Sequence, residues 1–300
     1  MTLAMDQAPD MPLNANMLRR ATSREQMTFW GLGLPALFLV ACILLIPFAW
    51  LAWLSLFDAA GNLSGQNYAR LLRPAYVASF LTTFKVAGLV TVICVLFGYP
   101  VAYLLSQLSP RAAQILMVFV ILPFWTSVLV RTYAWLVLLQ RKGVINDWLL
   151  SVGAIDQPLA LVHNLTGTVI GMVHVMLPFL ILPLYASMKA IDPVLLRAAA
   201  NCGASPSQAF RQVFLPLSMP GLASGIALTF VLCLGFYLTP ALLGGGRVAM
   251  WSTQIADTVS KFSNWGAASA LSVALLVVTA VILWGVRKLT DALSFSAGRS

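Results

Sequence analysis

Asp192-Pro-Val-Leu-Leu-Arg-Ala-Ala-Ala-Asn-Cys-Gly-Ala-Ser-Pro-Ser-Gln-Ala-Phe-Arg-Gln-Val-Phe-Leu-Pro-Leu-Ser-Met-Pro-Gly221 is a polar, Ala-rich insert of about thirty residues between two long apolar runs. It carries its own helix punctuation. Asp192 followed by Pro193 reads as an N-cap with proline at the first helical position. Gly203 stands where that first helix would end. Ser205-Pro206-Ser207-Gln208 repeats the start signal, with Ser205 and Gln208 spaced as a capping box. Pro216 and Pro220 read as stops for the second helix. The expectation is two short helices with a tight bend, outside the bilayer. The same punctuation also fits an ordinary loop between membrane spans.

The rest of the chain is built for lipid. Of 300 residues, 60% are apolar and 9% are charged, against roughly 25% charged in a soluble domain. So few charges cannot cover a solvated surface. Six apolar stretches are long enough to span, at about 20 residues each: 29–57, 79–106, 112–139, 166–188, 220–243 and 267–286. The first is too long for the roughly 7–15-residue core of a signal peptide, so it is expected to be retained. Pro35, Pro47, Pro100, Pro123, Pro178, Pro183 and Pro240 fall within these stretches and predict kinks. The expected organisation is an N-terminal tail over 1–28, a six-helix domain over 29–286 with the insert at 189–219, and a C-terminal tail over 287–300. A short amphipathic stretch, Val144–Leu150, sits in the loop after the third span; it reads as an interfacial Trp148 anchor or a partner contact.

The net charge of +9 does not point to nucleic acid, because the basic residues flank apolar runs instead of forming a stripe. One side of the membrane receives Arg19, Arg20, Arg24, Arg111, Lys189, Arg197, Arg211, Arg287, Lys288 and Arg299. The other receives Arg70, Arg73, Arg141, Lys142, Arg247 and Lys261. The richer side is expected to be cytoplasmic, with both termini and the insert on it.

Enzyme chemistry finds no support. None of the nine carboxylates lies in the middle of a span, His163 and His174 lack partners at metal spacing, and the four cysteines show no paired spacing. There is no phosphate-binding loop and no nucleophile elbow. Gly244-Gly245-Gly246 follows a helix, so it reads as a turn. No cofactor is expected, and any ATP used must be bound by another chain. An ion-coupled secondary carrier is the alternative, but such carriers keep Asp, Glu or His near the midplane.

Two intramembrane cations remain. Lys85 reads as snorkelling. Arg131, counted from Ala112 along a straight helix, stands roughly 28 Å up the third span at about 1.5 Å per residue. It reads as snorkelling to headgroups or as a gate or docking charge. His174 reads as a helix–helix hydrogen-bonding residue. Phe236, Tyr237 and Thr239, just before Pro240, read as path-lining or as packing at a kink.

Arg197-Ala198-Ala199, three residues, Gly203, nine residues, then Val213-Phe214-Leu215-Pro216 resembles the Glu-Ala-Ala loop of ABC importer permeases. That pattern ends in Ile-x-Leu-Pro. Arg197 departs from it, standing where the family has Glu. Leu122-Pro123-Phe124-Trp125-Thr126-Ser127, Arg131-Thr132-Tyr133-Ala134-Trp135, Leu177-Pro178-Phe179 and Thr239-Pro240-Ala241-Leu242-Leu243-Gly244-Gly245 are similar to the spermidine/putrescine-type subfamily. The resemblance implies an all-α, polytopic fold with a cytoplasmic coupling loop, like the type I importer permeases. It implies a multi-pass protein of the bacterial inner membrane. It further implies a second, distinct permease as heterodimer partner, a pair of ATPase subunits, a periplasmic solute-binding protein, and a small solute such as a polyamine. Arg197, Ala198, Ala199, Gly203, Ala204, Ser205 and Pro216 are the residues expected to couple to the ATPase.

Overall fold

The computed structural model describes residues 15–58 and 61–297, with side chains over 33–58 and 61–288. Arg299 and the side chains of Arg19, Arg20 and Arg24, used above for orientation, lie outside the described residues. About 80% of the chain is helical and no strand occurs among the described residues. Five helices are long and apolar enough to cross a membrane, and a bent pair brings the number to six.

The elements run as follows: α1 (Ala15–Ser55), α2 (Gln66–Leu71), α3 (Pro74–Gln107), α4 (Pro110–Ile121), α5 (Val128–Leu139), α6 (Val144–Ser151), α7 (Leu165–Lys189), α8 (Pro193–Asn201), α9 (Pro206–Ala209), α10 (Leu215–Gly235), α11 (Leu238–Leu243), α12 (Trp251–Ser260) and α13 (Trp265–Ala297). Helix α1 starts at Ala15, so residues 15–28 of the expected tail are helical. Likewise α13 runs to Ala297, through most of the expected C-terminal tail.

Helices α3, α7 and α10 form the centre, and α7 is the most enclosed of the spans. Between helices in lipid there is no hydrophobic gain from association, so close backbone approach through small residues matters. Gly225 of α10 lies against α7; a Cβ there would meet the Leu180 carbonyl at 3.0 Å. Gly98 of α3 faces the Leu180 side chain at 2.6 Å in the same sense. Tyr99 of α3 shares a 3.0 Å hydrogen bond with Ser218 of α10. The connecting segments between the spans hold α2, α6 and α12. Asn146 of α6 is buried and stitches its loop together, donating to the Gln140 and Leu159 carbonyls and accepting from the Leu159 amide. Trp148 on the same helix is exposed.

Two expected spans differ from a simple rod. The third, expected over 112–139 with a kink at Pro123, breaks outright after a 3₁₀ turn at Leu122–Trp125 and bends by 97°. Pro123 has no N–H to donate back and its ring clashes with the carbonyl four residues earlier. Thr126 and Ser127 are then extended before α5 restarts. The fifth span, expected over 220–243, is instead one helical run from Pro206 to Gly235, then a break at Phe236–Tyr237, then the short α11. With Phe236 extended, Pro240 sits in the first turn of α11, where a missing N–H costs nothing.

Candidate functional site

The insert forms from the signals in its sequence. Asp192 caps α8 by accepting the Val194 amide at 2.8 Å. Helix α8 ends in a Schellman arrangement: the Gly203 amide donates to the Ala200 carbonyl at 2.9 Å and the Ala204 amide to the Ala199 carbonyl at 3.0 Å. Gly203 has φ +87°, in the left-handed region. Space around it is open, so its smallness answers a backbone demand and not a contact within this chain. The capping box is complete, with the Ser205 amide donating to Gln208 Oε1 at 2.8 Å and the Gln208 amide to Ser205 Oγ at 3.4 Å.

One expectation fails here. Pro216 and Pro220 do not stop the second helix. A π-helical turn at Phe210–Phe214 precedes them, and α9, that turn and α10 make one continuous run. The wide turn takes up the hydrogen-bonding mismatch that a proline in the next turn creates. The insert is therefore one free short helix, α8, a sharp bend, and the foot of the fifth span.

The foot is anchored. Phe210 and Phe214 meet Tyr103 of α3 edge-on, at ring centroid distances of 5.3 and 5.1 Å. Lys189 Nζ donates to the Ser106 carbonyl at 3.4 Å. The outward side of α8 is free: Val194 and Leu195 are exposed, as are Arg197 and Ala198. Arg197 forms no ion pair among the described residues.

Near the end of α10 and midway along α7 lies a cavity of about 230 Å³, lined by Phe124, Thr126, Val128, Arg131, Val175, Met176, Phe179, Leu232 and Phe236. It sits where the third and fifth spans break. The bend after Trp125 voids the straight-helix count that put Arg131 at the outer boundary; Arg131 lies one turn into α5 and reaches this cavity. Its Nε is buried with no hydrogen-bond partner. Of the four path candidates, Arg131 and Phe236 come together here. Tyr237 is half exposed and outside the lining, and Thr239 is fully buried against Gly171. Sequence reasoning passed over Phe124, Thr126 and Phe179. A signal for two of them was present: Leu122-Pro123-Phe124 and Leu177-Pro178-Phe179 repeat one pattern, and their phenylalanine rings meet at 4.9 Å. His174 Nδ1 accepts a hydrogen bond from Trp135 Nε1 at 3.1 Å, joining α7 to α5 as expected. Lys85 is exposed.

Comparison with known proteins places this geometry. Residues 94–294 match the model of the binding-protein-dependent transport system inner membrane component. The chain is 36% identical over 219 residues to the spermidine/putrescine transport system permease protein PotB of Haemophilus influenzae, covering 73% of this chain and 77% of that one. It is 34% identical over 218 residues to PotB of Escherichia coli, covering 73% and 79%. Among solved structures, the bacterial ABC transporter that imports the acidic polysaccharide alginate superposes with a TM-score of 0.68 at 18% identity, over 92% of this chain and 99% of that one. The MetNI methionine ABC transporter gives 0.56 at 18% identity, over 72% and 95%. The likeness to the solved structures is one of fold. The sequence matches span two thirds of the chain or more, and the chain belongs to the family of binding-protein-dependent transport system inner membrane components.

Proposed function

We propose that this chain is a membrane-spanning subunit of an ATP-driven importer, passing a small organic solute from a periplasmic binding protein to the cytoplasm. The observation that carries the reading is mechanical. The exposed α8 and its capped bend join, without interruption, a 30-residue helix that ends at the cavity. At about 1.5 Å per residue that helix is roughly 45 Å long. Helix α7 makes the same connection, from Lys189 beside the insert to Phe179, Met176 and Val175 in the cavity.

A push on α8 is therefore delivered to the cavity by two packed helices moving as rigid bodies. ATP binding to a separate pair of ATPase subunits supplies the push. Arg197, Ala198, Ala199, Gly203, Ala204, Ser205 and Pro216 belong to the coupling element, which faces the cytoplasm together with both termini. A second, distinct permease completes the path, and lipid covers the outer faces. The tail, six-helix and tail boundaries at 28 and 286 serve as functional divisions although the helices run through them. Polyamines are the first solutes to assay, because the relatives named above carry spermidine and putrescine in their names.

The test is co-expression with its ATPase, second permease and binding protein, followed by uptake into proteoliposomes. Uptake that needs ATP and all four components is expected. Uptake by this chain alone, driven by an ion gradient, would overturn the reading.

A further inference from the structure

Helix α8 buries one side and leaves the other bare. Leu196, with Ile191 just before the helix, packs against the apolar cluster of Leu105, Ile181, Leu184, Met188 and Phe214. Val194, Arg197, Ala198 and Asn201, spaced i, i+3, i+4 and i+7, share the opposite side, and all four are exposed. Val194 is 53% exposed and the adjoining Leu195 45%, so the guanidinium of Arg197 stands within an apolar patch.

This end of the bundle is basic. The Lys189 bond to Ser106 and the ring contacts of Phe210 and Phe214 with Tyr103 bring residues 107–111 and 189–214 together. Those segments hold Arg111, Lys189, Arg197 and Arg211 against one carboxylate, Asp192. Asp192 is engaged in capping α8 and forms no ion pair with Arg197. Lys189 is held by the Ser106 carbonyl. Arg111 and Arg211 belong to helical runs that enter the bilayer, where anionic headgroups answer them. Arg197 belongs to α8, which enters no span, and nothing in the described part of this chain answers its charge.

We infer that the ATPase surface receiving α8 presents an aspartate or glutamate to Arg197, beside an apolar depression that takes Val194 and Ala198. The inference rests on the importer reading above and names the chemistry of that partner's docking surface. A subunit that covers this side of α8 strips water from the guanidinium. Without an acceptor in return, the uncompensated charge opposes docking. The guanidinium fork is matched by a carboxylate, which can accept two of its N–H groups at once. A lysine or arginine at the same place would repel α8, so the pair also selects which ATPase is accepted.

The experiment uses the assembled transporter, purified through a tag on this chain, and measures the ATPase retained through washes of rising sodium chloride. Arg197 is exposed, so its variants keep the fold. Arg197→Gln should weaken retention about tenfold and flatten its salt dependence. Arg197→Glu should weaken it further, Arg197→Lys should keep part, and Arg141→Gln, at the opposite end of the bundle, should change nothing. A carbodiimide, which joins an amine to an adjacent carboxylate, should crosslink the Arg197→Lys variant to an acidic residue of the ATPase. Exchanging that residue for arginine should restore retention of Arg197→Glu. Retention of Arg197→Glu equal to or above wild type, or no such crosslink, overturns the inference. The comparison is repeated in nanodiscs of phosphatidylcholine alone and with added phosphatidylglycerol. A wild-type advantage seen only with the anionic lipid assigns Arg197 to headgroups and also overturns it. ATPase held equally by wild type and all Arg197 variants removes this inference alone. Absence of ATPase from the wild-type preparation removes the importer reading and this inference with it.

Discussion

The hydroxyls of Thr132 and Thr239 lie 3.1 Å apart, both fully buried, 107 residues apart in sequence. Thr132 Oγ1 also donates to the Val128 carbonyl at 2.8 Å, so Thr239 is the donor of the shared bond. The contact joins α5, which follows the break in the third span, to α11, which follows the break in the fifth. The two displaced segments flanking the cavity are thus clamped to each other.

The clamp predicts coupling. Thr239→Val is isosteric and removes only the donor. Side-chain hydrogen bonds between membrane helices average about 0.6 kcal/mol, reaching about 1.7. A double-mutant cycle of Thr132→Val and Thr239→Val, read by denaturant unfolding in micelles, should give a coupling energy in that range. Strict additivity of the two variants would show that the bond contributes nothing to holding the segments together.

At Gly203 the expected cost comes from the backbone. The left-handed φ of +87° disfavours any β-branched residue, while the space around it is open. Gly203→Val should strain the bend by about 1–3 kcal/mol, leave the protein inserted in the membrane, and reduce ATPase co-purification and uptake together. Gly203→Asn, which tolerates this conformation better, should retain more of both. Equal behaviour of the Val and Asn variants would remove the backbone explanation.

Both ends of α8 and the start of α9 were readable because caps are local: Asp192, Gly203, Ser205 and Gln208 act within a few residues of themselves. The breaks after Trp125 and Gly235 were readable only as kinks at Pro123 and Pro240, not as full breaks. Hydrophobicity runs straight through both, and proline does not mark them uniquely. Pro47, Pro100, Pro178 and Pro183 all sit inside continuous helices. What separates Pro123 and Pro240 from those is the surroundings: Phe124 has Phe179 to pack on, Ser252 Oγ donates to the freed Phe236 carbonyl at 2.8 Å, and Thr239 bonds to Thr132. Long-range partners decided the outcome, and with it the position of Arg131 and the existence of the cavity. The helical insert could be drawn from sequence; the cavity could be drawn only in part, through Arg131 and Phe236.

Close helix contact sets another limit. A Cβ on Gly221 of α10 would lie 2.2 Å from Ser187 Cβ of α7. Gly221→Val should force the two helices apart, at the roughly 1–3 kcal/mol typical of overpacking or more. Reduced thermal stability and loss of monodispersity of the purified complex are the expected readouts. Wild-type stability in this variant would contradict the close approach.

Orientation can be tested with a cysteine the chain already has. Cys202 sits on the exposed bend of the insert, whereas Cys94 and Cys233 are fully buried and Cys42 is half-buried on α1. If the insert meets an ATPase, it faces the cytoplasm. A membrane-impermeant maleimide should then fail to label Cys202 in intact cells and label it in opened membranes, with the signal lost in Cys202→Ser. Co-expression of the ATPase should slow labelling in opened membranes, because the docked subunit covers the bend. Efficient labelling in intact cells would invert the topology and place the insert on the side of the binding protein, where it could not act as the ATP-driven lever.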